Sequence, residues 1–165
     1  MSDFAQLVER ESRGLVAAVT AIVGDRHRAE EIVQDAFEQC YRRWRRVSQL
    51  DRPGAWVRRV AINAAISSTR KRTSERRALE RLGTRAASDG ASPDPLDALD
   101  DAVLWSEVRS LPGEQAAAIA LHYVADLSIE DVATTLEIST SAAKSLLHRG
   151  RRALRTSPTL ETYAE

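Results

Sequence analysis

Apolar residues recur at intervals of three and four along most of the chain, which is the period of an amphipathic α-helix. A first such run lies between Leu15 and Val23, and Gly24-Asp25 then marks a turn. The most regular run follows this turn and predicts one helix of about five turns over residues 29–44. Its apolar positions are Ala29, Ile32, Val33, Ala36, Phe37, Cys40, Tyr41 and Trp44.

A second long helix is predicted after Asp51-Arg52-Pro53, because an acidic cap followed by proline in the first turn is a helix-start signal. Its apolar stripe, which is expected to be buried, contains Val57, Val60, Ala61, Ala64 and Ala65. A different stripe carries Trp56, Arg59, Asn63, Ser67 and Arg70. Asn63 is either a solvated polar residue or, since its amide both donates and accepts, a reader of a base edge.

Residues 83–95 interrupt the helical period with glycine, serine, proline and aspartate, so they are expected to form a flexible linker. Beyond them, residues 96–110 return to the helical pattern. Pro112 then predicts the start of another helix that continues to about Tyr123, because proline is tolerated in a first helical turn.

The last part of the pattern predicts two short helices joined by a tight turn. Ser128 begins a capping box for the first helix, and Glu137–Ser139 forms the turn. A helix-turn-helix that places its second helix in the major groove of DNA has this pattern. An ordinary helical hairpin with a solvated basic face shows the same pattern. The pattern alone therefore does not distinguish a DNA-binding helix-turn-helix from such a hairpin. The polar and basic side of the second helix carries Ser141, Lys144, Ser145, His148, Arg149 and Arg152.

Together these elements predict an all-α fold of two small helical domains joined by a flexible linker, the C-terminal domain being a helix-turn-helix. The expected boundaries are 1–82 for the first domain, 83–95 for the linker, 96–156 for the second domain and 157–165 for a disordered tail. Only 5% of residues are aromatic although 43% are hydrophobic, so alanine and leucine, which favour helices, make up much of the apolar content.

The distribution of charge matters more than its sum, which is zero for 24 basic and 24 acidic side chains. Residues 40–85 carry 14 Arg and Lys against 3 Asp and Glu, whereas residues 86–110 carry 1 against 6. Since salt screens charges over about 10 Å, the basic segment can attract phosphates by itself. It also contains Tyr41, Trp44 and Trp56, and aromatic rings can stack on unpaired bases. The periodicity places Tyr41 and Trp44 in the core and leaves Trp56 undecided.

The sequence contains no pattern that indicates catalysis, a metal or a cofactor. His27, His122, His148 and Cys40 do not fall at metal-ligand spacing, and nucleophile motifs and phosphate loops are absent. The lone cysteine excludes an internal disulfide and fits a reducing compartment. Neither a signal peptide nor a membrane span is evident, so we expect a cytoplasmic, non-enzymatic protein without membrane association.

Several of these segments also carry residue patterns that belong to one protein family. They are residues 29–37 (Ala-Glu-Glu-Ile-Val-Gln-Asp-Ala-Phe), 55–63 (Ala-Trp-Val-Arg-Arg-Val-Ala-Ile-Asn), Leu111–Tyr123, Leu127–Ala133 and Ala143–Arg149. In this order, and across a linker of this length, they resemble the extracytoplasmic-function (ECF) group of sigma-70-type RNA polymerase sigma factors. The resemblance extends over nearly the whole chain. It implies a protein that directs promoter-specific initiation of transcription by binding core RNA polymerase and promoter DNA.

The resemblance also implies roles for individual residues. The residues expected to face core polymerase are Glu31, Gln34, Asp35 and Glu38. Those expected to contact minus-ten DNA are Trp56, Arg59, Asn63, Ser67 and Arg70. Among them Asn63 is expected to help capture a flipped base, and the loop 47–53 is expected to form part of its pocket. Those expected to contact minus-thirty-five DNA are Ser141, Lys144, Ser145, His148, Arg149 and Arg152. An anti-sigma protein is a further candidate partner, since many members of the family are held inactive by one.

The sequence departs from the family at Ala116 and Leu146, where arginine is frequent, and at Ser141–Ala143, where Gly-Thr-Val is frequent. We therefore expect altered or weaker minus-thirty-five recognition. The main alternative function is a stand-alone helix-turn-helix regulator, which would bind a palindromic operator tightly as a dimer. A sigma factor would instead bind promoter duplex poorly without polymerase. The basic segment with interleaved aromatic residues argues against the stand-alone regulator, because a simple sensor domain does not need it.

Overall fold

The computed structural model describes residues 3–83 (the N-terminal half) and 99–163 (the C-terminal half), except for the side chains of 99–101 and 163. The N-terminal half contains α1 (Asp3–Val23), α2 (Arg26–Arg42), α3 (Trp44–Val47) and α4 (Pro53–Arg81). The C-terminal half contains α5 (Leu99–Ser110), α6 (Gly113–Ile119), a π-helical segment (Ala120–Val124), α7 (Ile129–Leu136), α8 (Thr140–Arg155) and α9 (Pro158–Tyr163). The predicted all-α class, with a helix-turn-helix formed by α7 and α8, is confirmed.

Local chemistry determines where α2 begins and ends. Gly24 has a φ of 76°, a conformation that glycine adopts without a Cβ penalty. Asp25 then caps α2 by accepting a hydrogen bond from the amide of Arg28 at 3.2 Å. The helix ends at Arg42, and Arg43 leaves the helical conformation before α3 begins at Trp44. The prediction of one unbroken helix to Trp44 is therefore wrong at its C-terminal end.

The aromatic residues near the end of α2 have different environments. The half-buried Trp44 packs edge-on against Phe4, with ring centroids 5.3 Å apart. Tyr41 also contacts Phe4 but is 66% exposed, so the expectation that it lies in the core is wrong. Tyr41 lies at the edge of the packing between α1 and α2, beside Phe4 in the first turn of α1.

The buried face of α4 is rotated from the predicted one. Ala64 is exposed, contrary to expectation, whereas Arg58 and Ile62 are buried. The C-terminal half packs against this side of the helix: the hydroxyl of Thr135 accepts a hydrogen bond from Arg58 Nε at 3.0 Å. A second helix is therefore responsible for part of the burial on α4, and the apolar stripe of α4 by itself did not reveal it.

The two halves are in contact, and their buried apolar residues form one cluster. In this arrangement α1 contacts α5 and the π-helical segment, and α4 contacts α6 and α7. A small residue permits the close approach at one point, since a Cβ on Gly113 would lie only 2.9 Å from Cγ2 of Ile66. The helical periods and the composition of residues 83–95 predicted two domains and a linker but did not predict this packing.

The C-terminal end is more ordered than predicted. Helix α9 occupies much of the segment 157–165 that was expected to be a disordered tail. Ser157 is buried, and its hydroxyl donates a hydrogen bond to Glu107 Oε2 at 2.6 Å, which fixes the start of this segment against α5. The disorder prediction is therefore wrong for residues 157–163. The predicted linker 83–95, Gly83 apart, lies outside the described residues, so the boundaries around it stay predictions.

Each helix of the helix-turn-helix begins at a serine cap. The hydroxyl of Ser128 accepts a hydrogen bond from the amide of Asp131 at 3.1 Å, and that of Ser139 accepts one from Ala142 at 3.0 Å. Between them Glu137 has a φ of 55°, a left-handed conformation that ends α7. The turn is therefore specified by side-chain to backbone hydrogen bonds and one unusual backbone conformation.

Replacing Ser139 with alanine is expected to lower the free energy of unfolding by about 1 kcal/mol, because an amide at the start of α8 loses its acceptor. Urea denaturation followed by circular dichroism measures this change. Ser141→Ala is the matched control: the same side-chain truncation, in an exposed position within α8, should be close to neutral. Equal losses for the two variants would contradict the assignment of Ser139 as the cap.

Candidate nucleic-acid interface

A groove of about 560 Å³ lies between the loop before α4, the start of α4 and the end of α7. Arginine side chains and a half-buried indole ring dominate its lining. A tryptophan face can stack on an unpaired base while arginines hold the phosphates on either side, so the groove has the chemistry of a single-strand site. The lining residues are Arg43, Arg46, Val47, Leu50, Asp51, Arg52, Ala55, Trp56, Arg59, Thr134 and Glu137.

The predicted minus-ten residues divide into two groups along α4. Trp56 and Arg59 line the groove, together with much of the loop 47–53. Asn63, Ser67 and Arg70 are exposed further along the same helix and do not line the groove. At about 1.5 Å per residue, Asn63 and Arg70 lie roughly 10 Å apart along the helix axis. A strand bound in the groove would have to continue along α4 to reach them.

Acidic residues of the C-terminal half hold two arginines of this groove. Arg59 forms an ion pair with Glu137, which lies in the turn between α7 and α8. Arg52 Nη1 lies 2.8 Å from Asp131 Oδ1 and 3.4 Å from the hydroxyl of Thr134. Arg52 was not singled out as a DNA contact, although it belongs to the loop 47–53 that was predicted to form part of the minus-ten pocket.

A buried polar cluster lies next to these surface pairs. Arg58 Nη1 contacts Glu11 Oε2 at 2.7 Å, with side-chain exposures of only 9% and 12%. Arg58 Nε donates to Thr135, so the cluster links α1, α4 and α7. Sequence reasoning missed Arg58, because an arginine beside the similar Arg59 gives no sign that it is buried.

The helix-turn-helix presents the predicted basic face of α8 to solvent. Ser141, Lys144, His148, Arg149 and Arg152 are exposed, and Ser145 is half-buried. On the opposite side Ala143, Leu147 and Gly150 are buried against the core. The face therefore has the arrangement that major-groove binding requires, with short serines near the start of the helix and long basic residues toward its end.

Two further side chains extend this basic face. Arg151 Nη1 donates a hydrogen bond to the hydroxyl of Tyr123 at 2.9 Å, and the tyrosine is 53% exposed. The π-helical segment places Tyr123 at the surface beside His122, whose Nδ1 donates to the carbonyl of Leu127 at 2.7 Å. Neither Arg151 nor Tyr123 was among the predicted DNA contacts. The helical period did not predict the π-helical turn that places Tyr123 at the surface, and Arg151 is distinguished on α8 only by its contact with this hydroxyl.

The positions that depart from the family pattern are mostly internal. Ala116 and Ala143 are buried in the core, Leu146 is half-buried and Ser141 is exposed. The side chain at position 116 points into the core in this arrangement. An arginine at this position would therefore have to be accommodated in the core before its guanidinium could contact a phosphate. The substitution at Ala116 therefore concerns packing, and Ser141 is the departure that lies on the exposed face of α8.

The predicted polymerase-facing residues lie together on the exposed side of α2. Glu31, Gln34, Asp35 and Glu38 all face solvent. Glu31 pairs with Arg28 at 3.3 Å, and Glu38 pairs with Arg42, so the ion pairs of these residues are surface pairs within one helix. Such pairs contribute little to stability and can rearrange when a partner binds. The surface is therefore available for docking.

Among the residues that the structure describes, none of the His, Cys, Asp and Glu groupings could hold a metal ion. Burial raises the pKa of Cys40 to about 11, so this thiol is protonated and poorly nucleophilic near neutral pH. None of the helices in the described ranges is both long and apolar enough to span a membrane.

Two family models match the chain in the order of its two halves. Sigma-70 region 2 matches residues 7–75, within α1–α4, and Sigma-70 region 4 matches residues 102–154, within α5–α8. The chain belongs to the sigma-70 family of RNA polymerase sigma factors. As in the ECF group that the sequence resembles, regions 2 and 4 are each represented here by a small helical domain.

Proteins of similar sequence support the assignment of this chain to the sigma-70 family and its ECF group. The RNA polymerase sigma-E factor of Streptomyces antibioticus is 28% identical over 93% of this chain and 83% of its own length. The ECF sigma factor SigE of Mycolicibacterium smegmatis is 28% identical over 94% of this chain and 61% of its own length. The ECF sigma factor SigW of Bacillus subtilis is 27% identical over 92% of this chain and 87% of its own length.

A solved structure supports the fold of this sigma-70 family member. It is the sigma factor RpoE of Bartonella quintana, in complex with the anti-sigma factor NepR. The TM-score is 0.72 at 24% sequence identity, and the alignment covers 94% of this chain and 96% of the other. The likeness spans both halves.

Proposed function

We propose that this sigma factor binds core RNA polymerase through α2 and reads promoter DNA with two separate surfaces. The observation that supports this proposal is the pairing, in one chain, of a tryptophan-arginine groove with an exposed basic helix of a helix-turn-helix. The groove suits unpaired bases of an opened minus-ten element, and α8 suits the intact duplex of a minus-thirty-five element. A promoter reader needs both forms of DNA recognition.

In the proposed complex the acidic face of α2 supplies electrostatic complementarity to a basic polymerase surface. Complementary charge steers association and fixes orientation more than it adds affinity. Polymerase would then hold both halves near the promoter, which raises the effective concentration of each DNA-binding surface for its element. This explains how a chain with zero net charge can read DNA.

In this proposal the chain acts in the cytoplasm, where core polymerase works, and contributes recognition without chemistry of its own. The family match over residues 7–75 disfavours a stand-alone helix-turn-helix regulator, since region 2 is not a sensor domain. An anti-sigma protein is a proposed further partner. Its support is the RpoE relative, whose structure is a complex with one.

The test is reconstitution of transcription. Purified protein and bacterial core polymerase are mixed, and co-elution is measured on a sizing column. The complex then transcribes sheared genomic DNA of the source organism, and the 5′ ends of the transcripts are mapped, with core polymerase alone as the control. We expect co-elution and a small set of start sites with shared minus-ten and minus-thirty-five elements. Folded protein that remains separate from polymerase would contradict the proposal.

A further inference from the structure

We propose that residues 70–81, which are the last turns of α4 and are here called its free end, bind intact promoter duplex beside the minus-ten element. Arg70, Arg77 and Arg81 would contact phosphates on the minus-thirty-five side of that element. The partner is double-stranded DNA of any sequence. This inference rests on the proposed function of the groove, and it extends that function from the opened bases to the duplex that borders them.

The free end of α4 extends beyond the packed body of the protein. Each of its residues is exposed, whereas the first half of α4 buries one face. Arg72 still reaches back to α1, where its Nη1 donates to the carbonyl of Val23 at 3.4 Å. A helix of this length is marginal in water by itself, so the packed part of α4 has to hold it in helical form. The result is a projecting helix of about 18 Å, at roughly 1.5 Å per residue.

The charges of the free end are sorted by direction around the helix. Residues 70–81 contain 6 Arg and Lys against 2 Asp and Glu. At about 100° per residue, three of the arginines point within about 40° of one direction, which is opposite the buried face of α4. Both glutamates point elsewhere. We call this line of residues the α4 stripe; from the middle of the helix onward its members are Asn63, Ser67, Arg70, Ser74, Arg77 and Arg81.

The arginines of the α4 stripe lack acidic partners. Among the side chains that the structure describes, none forms an ion pair with Arg70, Arg77 or Arg81. Exposed arginines on α2, by contrast, pair with glutamates one turn away. On the other side of the free end, Arg76 Nε lies 3.8 Å from Glu80 Oε1. Like charges four residues apart, such as Arg77 and Arg81, weaken a helix. The stripe therefore costs stability in the chain alone, and a polyanion would offset that cost.

The α4 stripe continues the surface proposed for minus-ten DNA. At the start of the helix Trp56 and Arg59 point in the same direction and line the groove. Asn63 follows on the exposed side, and the arginines of the free end come next. An opened minus-ten element is bordered by intact duplex on its minus-thirty-five side. A basic stripe that leads away from the groove is therefore placed to meet that duplex.

The length and chemistry of the free end suit contacts with the DNA backbone. From Arg70 to Arg81 the helix rises about 17 Å, which corresponds to roughly five base pairs at about 3.4 Å each. Guanidinium groups bind phosphates through two parallel hydrogen bonds. Such contacts position a duplex without reading its sequence. The match to region 2 ends at residue 75, so Arg77 and Arg81 lie beyond the segment that the family model describes.

The first experiment removes two charges from the full-length protein. Arg77→Gln with Arg81→Gln is compared with Arg72→Gln with Arg76→Gln, which makes the same change in charge on the opposite side of the helix. The probe is a fluorescent duplex pool of random sequence, measured by anisotropy from low to moderate salt. We expect the first pair to bind at least about tenfold more weakly at low salt, and its slope of log affinity against log salt to fall by nearly two, since each phosphate contact contributes about 0.9. The control pair should stay within about threefold of wild type. Equal losses for both pairs would overturn the proposal.

The second experiment adds a charge, so that a loss of folding cannot imitate the expected result. Ser74 is exposed on the α4 stripe, between two of its arginines, and Thr73 is exposed beside it but points away from the stripe. Ser74→Arg is expected to bind the duplex pool roughly three- to tenfold more tightly at low salt and to steepen the salt slope by about one. Thr73→Arg should leave the slope unchanged. Equal gains would show that net charge acts and that the stripe does not.

The third experiment locates the contact and separates this inference from the proposed function. An iron chelate is attached to Ser74→Cys, while the buried Cys40 should remain unlabelled. The labelled protein is assembled with core polymerase on promoters found by mapping start sites. We expect cleavage of the DNA backbone in the duplex between the two elements, and cleavage confined to the opened bases would overturn this placement. Failure to bind polymerase contradicts the proposed function instead, and the random duplex pool still decides whether the stripe binds DNA.

Discussion

Replacing Arg58 with alanine is expected to lower the free energy of unfolding by about 3–5 kcal/mol. The guanidinium contacts Glu11 at 2.7 Å in a site where both side chains are almost fully buried. Without it the largely buried Glu11 carboxylate would keep only the exposed Arg10 as a counter-charge. The hydroxyl of Thr135 would also lose its donor. Both effects cost free energy in the folded state and have no counterpart in the unfolded chain.

The matched control uses the same carboxylate. Arg10 Nε lies 3.3 Å from Glu11 Oε1, but its side chain is 66% exposed, so Arg10→Ala should cost less than about 1 kcal/mol. Urea denaturation at 25 °C measures both variants. A double variant, Arg58→Met with Glu11→Leu, should recover most of the loss, because apolar residues of similar volume avoid the buried charge. A cost below about 1 kcal/mol for Arg58→Ala would indicate that the halves separate in solution and expose the pair.

Replacing Asp35 with arginine is expected to weaken binding to core polymerase by at least about 100-fold, because like charges that face each other across an interface cost several kcal/mol. Asp35 is exposed near the middle of the acidic side of α2, so the substitution should leave the fold intact. Binding is measured by fluorescence titration of labelled protein with core polymerase, and folding by circular dichroism.

Glu9→Arg is the control, since it makes the same change in charge at an exposed position on α1. Its affinity should stay within about threefold of wild type, because a charge away from the contact acts mainly on the association rate. Wild-type affinity should also fall as salt rises, whereas that of Asp35→Arg should change less. Equal weakening by the two variants would show that net charge, rather than the α2 face, controls binding.

Secondary structure was largely predictable because it depends on local signals. The three- and four-residue period of Ala29, Ile32 and Val33 marked α2, and Pro53 marked the start of α4. The capping box at Ser128 marked the first helix of the helix-turn-helix, and Glu137–Ser139 marked the turn before the second. Each signal depends on neighbours within one or two turns, so the sequence carries it in full.

Of the candidate sites, the exposed faces could be predicted better than the groove. Lys144, Arg149 and Asp35 lie on the polar sides of regular helices, and the period that buries their apolar neighbours also exposes them. The groove joins a loop, one helix and the C-terminal half, and the period of one helix does not indicate that Arg52 and Glu137 both line it. Tyr123 was missed for a similar reason, since a π-helical turn shifts the register there, and Arg151 is distinguished from its neighbours on α8 only by its contact with that tyrosine.

The sequence by itself determined the all-α class, the helix-turn-helix and the faces that α2 and α8 present to solvent. Only the tertiary structure decided that the halves pack together, that Arg58 and Ile62 are buried while Ala64 is exposed, and that acids of one half hold arginines of the other. Such contacts join residues about 80 positions apart in the chain. Their formation depends on the summed packing of several helices, which the period of any one helix does not encode.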